Sequence, residues 1–276
     1  MAPAPDRDTV KVQLATTRAT LRKAGIAYAW LDAEILVAHV LKVSRERLHS
    51  HPEQRLTEPQ RRRLRRLAAR RAARVPVPYL TGEREFYGHM LMVSPAVLIP
   101  RPESESLVEL AIEWLNAHPG PRRVIDLGTG SGAVAIAVAK AVSRVRIVAR
   151  DVSARALRVA ATNIARHRLR RRITTVKADL LRGARPADLI LANLPKELEY
   201  EPALALDGGE DGLALIRTAL SQAPAVVKPG GALFFEYDPA QTRRIVRLAQ
   251  GQWPAADISV HKDLAGRDRV VRIQLP

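Results

Sequence analysis

The chain contains no cysteine. Disulfides, thiolate metal sites and a cysteine nucleophile are therefore excluded. Aromatic residues are scarce, at 4% of 276 residues, which leaves few stacking platforms for single-stranded nucleic acid. No run of about 18 apolar residues is present, so no membrane span is expected. The opening residues, Met1-Ala2-Pro3-Ala4-Pro5-Asp6-Arg7-Asp8, lack the apolar segment of a secretory signal, and a cytoplasmic setting is expected. The histidines are scattered without ligand spacing, so no metal is expected. No internal repeat is present. Acidic side chains are outnumbered, 28 against 45 basic ones, giving a net charge of +17. Two readings of that charge stay open. One is an anionic partner such as ribosome, RNA or DNA. The other is an arginine-heavy composition spread over solvated helix faces. Apolar residues make up 47%, so the chain can bury a sizeable core, and its length suits one large domain with a smaller companion.

Along the chain, residues 9 to about 74 carry Leu14, Leu21, Leu31, Ile35, Leu36, Val40 and Leu41 at helical spacing, punctuated by Gly25 and Pro52. Residues 61–71 form a very basic helix with a thin apolar stripe. It reads as a docking face for nucleic acid or an acidic protein, or as the exposed side of a small bundle. Val75-Pro76-Val77-Pro78 breaks the helix. Glu85 to Val93 then alternates around Gly88 as a hairpin would. The division expected is a helical domain over 1–75, a β-hairpin connector over 76–100 and an α/β domain over 101–276. In the last part, strands are expected at Arg123–Leu127, Arg146–Arg150, Thr174–Lys177, Asp188–Ala192, Gly231–Glu236, Asp257–His261 and Arg269–Leu275. The clearest helices are Ser153–His167 and Gly212–Val227. The pattern predicts a doubly wound, mostly parallel sheet. The final two strands have too short a link for a crossover and should pair antiparallel.

Val124-Ile125-Asp126-Leu127-Gly128-Thr129-Gly130-Ser131-Gly132 reads as a strand entering a glycine turn, followed by the apolar helix from Ala133. That arrangement brings backbone against a nucleotide-like ligand. Asp151 ends the next strand, where a carboxylate can accept both hydroxyls of a ribose. Asp179, in Ala178-Asp179-Leu180, follows the third strand and can accept from an adenine amine. Each acid alone reads equally as a strand-end cap or a solvated charge. Together with the Gly-x-Gly-x-Gly spacing they favour an S-adenosylmethionine pocket over a dinucleotide site.

The chain resembles the release-factor glutamine methyltransferases along nearly its whole length. The strings that carry the resemblance include Leu31-Asp32-Ala33-Glu34-Ile35-Leu36, Tyr79-Leu80-Thr81-Gly82-Glu83-Arg84-Glu85-Phe86-Tyr87-Gly88, Leu98-Ile99-Pro100-Arg101-Pro102-Glu103-Ser104-Glu105, Leu206-Asp207-Gly208-Gly209-Glu210-Asp211-Gly212-Leu213 and Lys262-Asp263-Leu264-Ala265-Gly266-Arg267-Asp268-Arg269. The resemblance implies a class I, Rossmann-like methyltransferase fold with a seven-stranded, mostly parallel sheet and a small N-terminal helical domain that recognises the partner. It implies S-adenosylmethionine as cofactor, held by Gly128, Thr129, Gly130, Ser131, Gly132, Asp151, Asp179, Leu180 and Asn193. It implies a class I peptide chain release factor as partner.

The family's acceptor motif is Asn-Pro-Pro-Tyr; here it reads Asn193-Leu194-Pro195-Lys196. The resemblance makes Asn193 and Pro195 catalytic and all four residues substrate-binding. The Asn193 side-chain oxygen and the backbone carbonyl of Leu194 would accept the two N–H bonds of an amide, orienting its nitrogen. Lys196 stands where the family has an aromatic residue. An ammonium beside a sulfonium repels it by about 4 kcal/mol at about 4 Å and an effective dielectric of about 20, unless the side chain swings out. Only Glu197-Leu198-Glu199-Tyr200 separates the motif from Glu201-Pro202, shorter than the family's usual segment. Cofactor binding is expected to survive these departures. Methyl transfer is expected to be weak or absent unless Tyr200 or a partner completes the pocket. Glu236-Tyr237-Asp238-Pro239 departs in a smaller way, standing where a glycine is common. Glu103 and Glu105 read as pocket-lining acids or helix caps, and Arg101 and Arg267 as ion-pair partners. Three functional readings remain: the family's methylation of release-factor glutamine, an amino-methyltransferase acting on RNA or DNA, and a cofactor-binding pseudoenzyme.

Overall fold

The computed structural model describes residues 8–194 and 212–276. The chain forms two compact units, Met1–Glu83 and Arg84–Pro276. Among the described residues no helix is long and apolar enough to cross a membrane.

The first unit is helical: α1 (Val10–Lys23), α2 (Ala29–Leu41), α3 (Arg45–Ser50), α4 (Glu58–Ala72) and α5 (Val77–Thr81). Its core gathers Leu36, Val37, Val40, Leu48, Leu64 and Leu67. Helix starts are set by side-chain caps. The Ser44 hydroxyl accepts from the Arg47 amide, and Thr57 and Gln60 cap each other's backbone at the head of α4. The basic helix α4 buries Leu64, Leu67 and Ala68, and much of its charge is answered within the unit. Glu58 accepts from Arg61 at 2.6 Å and from Arg65 at 3.1 Å, Asp8 also pairs with Arg61, and Arg71 donates to Asp32 at 2.7 Å. The proline break holds, since α4 stops at Ala72, but the stretch that follows is not all hairpin. Residues 77–81 make a helical turn first, because Pro78 falls in the first turn of α5, where amides have no helical acceptor to lose.

The second unit opens with the hairpin β1 (Glu83–Phe86) and β2 (His89–Met92), turning on Tyr87 and Gly88. Helix α6 (Glu105–Ala117) follows, burying Leu107, Val108, Ala111, Trp114 and Leu115 along one face. Strands and helices then alternate: β3 (Arg122–Leu127), α7 (Ala133–Ala141), β4 (Val145–Asp151), α8 (Ala154–Arg166), β5 (Ile173–Lys177), β6 (Ala187–Asn193), α9 (Ala214–Gln222), β7 (Val227–Glu236), α10 (Thr242–Gln252), β8 (Asp257–Lys262) and β9 (Asp268–Gln274). Seven strands form one sheet in the order β5-β4-β3-β6-β7-β9-β8. The first five run parallel, and β9 pairs antiparallel with both β7 and β8. This is the sheet expected from the alternation, including its antiparallel edge. Central strands are apolar on both faces because helices cover both sides. One expected boundary moves. The helix expected to reach Val227 ends at Gln222, where Pro224 allows only a 3-10 turn, and β7 starts at Val227 rather than Gly231.

Candidate active site

The strand order reverses between β3 and β6. In an open parallel sheet, such a reversal opens a crevice at the carboxyl ends of the strands. Leu127 pairs with Arg150 on one side and Ala192 on the other, and Asp151 pairs with Lys177. The next residues along one edge are therefore Asp179 beyond β5, Asp151 on β4, Gly128 after β3 and Asn193 on β6. Neighbouring strands lie about 4.8 Å apart, so these groups span an edge long enough for a nucleoside and its attached side chain.

The glycine turn has φ of +65°, +54° and +82° at Gly128, Gly130 and Gly132, values that side chains resist. A Cβ on Gly128 would stand 3.1 Å from Leu194 Cδ2, and one on Gly132 would meet Ala160 of α8 at 3.5 Å. The first keeps the acceptor strand against the turn. The second keeps α7 packed on α8. The turn is fastened at several points. The Thr129 amide donates to the Arg150 carbonyl at 3.0 Å, the Gly132 amide to the Thr129 carbonyl at 2.7 Å, and the Thr129 hydroxyl to Asp126 at 2.6 Å. Ser131 is buried, and its carbonyl accepts from Asn163 of α8 at 2.9 Å.

Asp126 is buried beneath the turn. Burial lifts its pKa to about 7, against the pull of its hydrogen bonds from Thr129 and the Ala135 amide. Asp151 accepts from the Gly130 amide at 3.0 Å and the Ser153 amide at 2.8 Å. Burial raises its pKa in spite of both bonds. Asp179 is exposed. Leu180 beside it is half-buried with φ +44°, a left-handed conformation costing a leucine about 1–2 kcal/mol.

Asn193 donates from Nδ2 to the Ser104 hydroxyl at 2.7 Å, and Ser104 is only 3% exposed. That bond fixes the amide plane and turns Oδ1 away from Ser104. Leu194 is 5% exposed and belongs to the core under the turn. Pro195, Lys196 and Tyr200 lie outside the described residues.

Glu103, Glu105 and Arg267 near this edge are held in hydrogen bonds and ion pairs. The Glu105 carboxylate accepts from the Tyr87 amide of the hairpin turn at 3.0 Å. Glu103 pairs with Arg267 at 3.7 Å, and Arg267 also reaches Asp263 at 3.4 Å. Glu105 also stands in the first turn of α6, where the helix dipole favours a carboxylate. Arg267 is the ion-pair partner expected, while Arg101 is exposed. Tyr237 is fully buried, which places that departure in the core. Two features of the edge escaped the sequence. Val152, directly after Asp151, is 51% exposed, an apolar face left uncovered at the rim. Ser104 lies 89 residues from the asparagine it orients. The exposed valine had a weak signal, an apolar residue at a strand end; the serine had none. Among the described residues no cluster of His, Cys, Asp or Glu is arranged to hold a metal ion.

Sheet order, glycine turn and the acids on the next two strand ends define a class I methyltransferase. Residues 13–82 match the family described as PrmC N-terminal domain, and residues 108–242 match Methyltransferase small domain. A release factor glutamine methyltransferase of Bordetella pertussis is 39% identical over 257 residues, 87% of this chain and 93% of that protein. One from Deinococcus radiodurans is 36% identical over 272 residues, 94% and 96% of the two chains. The solved ribosomal protein L11 methylase from Lactobacillus delbrueckii subsp. bulgaricus shares the fold, with a TM-score of 0.51 and 24% identity over 67% of this chain and 84% of its own. The chain belongs to the release factor glutamine methyltransferase family. The methyl donor is S-adenosylmethionine. The edge suits that donor. Positive-φ glycines leave bare backbone, Asp151 is anchored through two amides, and Val152 offers an apolar face beside it.

Proposed function

We propose that this protein moves a methyl group from S-adenosylmethionine to the side-chain amide nitrogen of a glutamine in a class I peptide chain release factor, in the cytoplasm. The observation that carries the reading is the Asn193–Ser104 hydrogen bond at the sheet edge that also bears the glycine turn. Gly128, Thr129, Gly130, Ser131 and Gly132 hold the amino-acid end of the donor. Asp151 accepts the ribose hydroxyls, and Asp179, Leu180 and Val152 meet the base. When bound, the donor supplies an electrophilic sulfonium methyl, which the amide nitrogen takes as the carbon–sulfur bond breaks, releasing S-adenosylhomocysteine.

An amide nitrogen is a poor nucleophile because its lone pair is delocalised into the carbonyl. Asn193 Oδ1 takes one of its N–H bonds and the Leu194 carbonyl the other. Two fixed acceptors orient the nitrogen and favour positive charge growing on it. Burial of the Leu194 side chain keeps its own carbonyl in place. The N–H proton left over after transfer passes to water, so no strong base is required. In sequence, Lys196 stands where the family has an aromatic residue, and slow transfer is the expected consequence. The internal pairing of α4 arginines supports a protein rather than a nucleic acid as acceptor.

Two measurements test the reading. Calorimetry with S-adenosylhomocysteine should show binding. Tritiated donor incubated with a purified release factor should label its acceptor glutamine slowly, and faster after Lys196→Tyr. The absence of heat at millimolar ligand overturns the cofactor half. Label found on RNA instead of the release factor overturns the acceptor half.

A further inference from the structure

We infer that Arg150 is the positioning residue for the base-binding side of the cofactor site, an inference that rests on the cofactor reading above. Arg150 stands between the two walls of that side. It precedes Asp151 on β4 and is 4% exposed. Its donors reach across to the loop after β5: Nε donates to the Leu180 carbonyl at 2.7 Å, and Nη2 to the Arg182 carbonyl at 2.6 Å. Its own carbonyl accepts from the Thr129 amide of the glycine turn at 3.0 Å. One residue therefore ties the glycine turn, through its backbone, to the loop carrying Asp179, through its side chain.

The loop needs that tie. Leu180 holds φ +44°, which persists only where surroundings dictate it. The Arg182 amide closes a turn on the Asp179 carbonyl at 3.1 Å, and the Leu181 amide donates to Gln222 of α9 at 2.8 Å. Gln222 holds the loop's amide side and Arg150 its carbonyl side. With both carbonyls drawn inward to the guanidinium, Asp179 is left at the surface, as its exposure shows. A planar fork reaches two carbonyls at once; an ammonium cannot do so in the same geometry. Loss of the fork frees the loop to leave its left-handed turn and carries the Asp179 carboxylate away from the amine it accepts.

The consequence is specific to the base. Adenine presents an amine at its sixth position and hypoxanthine a carbonyl, so a correctly placed carboxylate discriminates between them. The test is calorimetry on the full chain with S-adenosylhomocysteine and S-inosylhomocysteine. The wild-type chain should prefer the adenosyl ligand by about tenfold or more. Arg150→Met should weaken the adenosyl ligand about tenfold and shrink the preference to about threefold or less, and Arg150→Lys should fall between. Thermal melts accompany each variant, and if Arg150→Met does not fold, Arg150→Lys carries the same comparison. An unchanged adenosyl affinity overturns the inference. So does equal weakening of both ligands with the preference intact, because that is the mark of a purely structural arginine. A wild-type chain that binds neither ligand overturns the cofactor reading and this inference together; binding without base preference overturns this inference alone.

Discussion

Asp126 couples the cofactor turn to pH. Burial raises its pKa from 3.8 to about 7, so the folded chain holds this proton more tightly than the unfolded chain. The stability it contributes is complete below about pH 4 and is lost as pH rises through about 7. Asp151 is shifted in the same direction by burial. His39, His89 and His261 are lowered by burial and act oppositely, adding stability as pH rises. Comparing the wild type with Asp126→Asn separates the aspartate from the rest. Urea midpoints measured from pH 4 to 8 should decline more in the wild type than in the variant; parallel curves would assign Asp126 ordinary acidity. Gly128→Ala meets both a positive φ and Leu194, and should lower stability by at least about 1–2 kcal/mol in the same melts while weakening S-adenosylhomocysteine binding. Asn193→Ala should reduce methyl transfer by about a hundredfold or more and weaken S-adenosylhomocysteine by a much smaller factor, about tenfold at most. Ser104→Ala should reduce transfer by a smaller factor, because the acceptor remains but its plane is no longer fixed. A loss of cofactor affinity in Asn193→Ala to match its loss of transfer would move that residue from the acceptor side to the donor side.

Helix α8 shows how one element joins others. Asn163, fully buried, donates to the carbonyls of Met92 and Ser131 at 2.9 Å each and accepts from the Met92 amide at 2.8 Å. It locks the hairpin strand β2 to the glycine turn. Asn163→Ala leaves three main-chain groups without these partners and should cost about 2–4 kcal/mol in a denaturant midpoint experiment. A change under about 0.5 kcal/mol would mean that water replaces the side chain. The helix itself was legible: Val159, Ala160 and Ile164 recur at its period, and Ser153 caps its start. The role of Asn163 was not, since its partners lie 71 and 32 residues away. Strand positions were legible for a different reason. Parallel strands covered on both faces read as short apolar runs, as in β6, and β3, β4, β5 and β6 all fall within a residue of the expected positions. The start of β7 was hidden because Pro229, Gly230 and Gly231 read as a turn. In the sheet, the register with β6 shifts between Ala187 and Leu189, and a Cβ on Gly231 would stand 2.9 Å from the Asp188 carbonyl.

At the scale of the whole molecule, the two units carry separate cores, one built on α1 to α5 and the other on the sheet and its helices. Every residue assigned to the cofactor belongs to Arg84–Pro276. A chain starting at Arg84 should therefore bind S-adenosylhomocysteine within about threefold of the full chain, with its own cooperative melt. A truncated chain that melts normally yet binds nothing would give the helical unit a part in the cofactor site. The α4 arginines Arg61, Arg65 and Arg71 are answered by Glu58, Asp8 and Asp32, and the net charge of +17 is the basic excess left after all such acids are counted.

The amino-acid order by itself determined the layered α/β sheet, the helical N-terminal part, the glycine turn, the acids at successive strand ends and the asparagine at the end of β6. Each is a local property: a period, a turn that only glycine allows, or a residue at the end of an apolar run. Only the tertiary structure decided which distant groups complete those parts. It placed Ser104 behind Asn193, Asn163 behind the glycine turn and Arg150 under the Asp179 loop. Such hydrogen bonds join residues that share no periodicity, because they form where strands and helices converge on the reversal between β3 and β6.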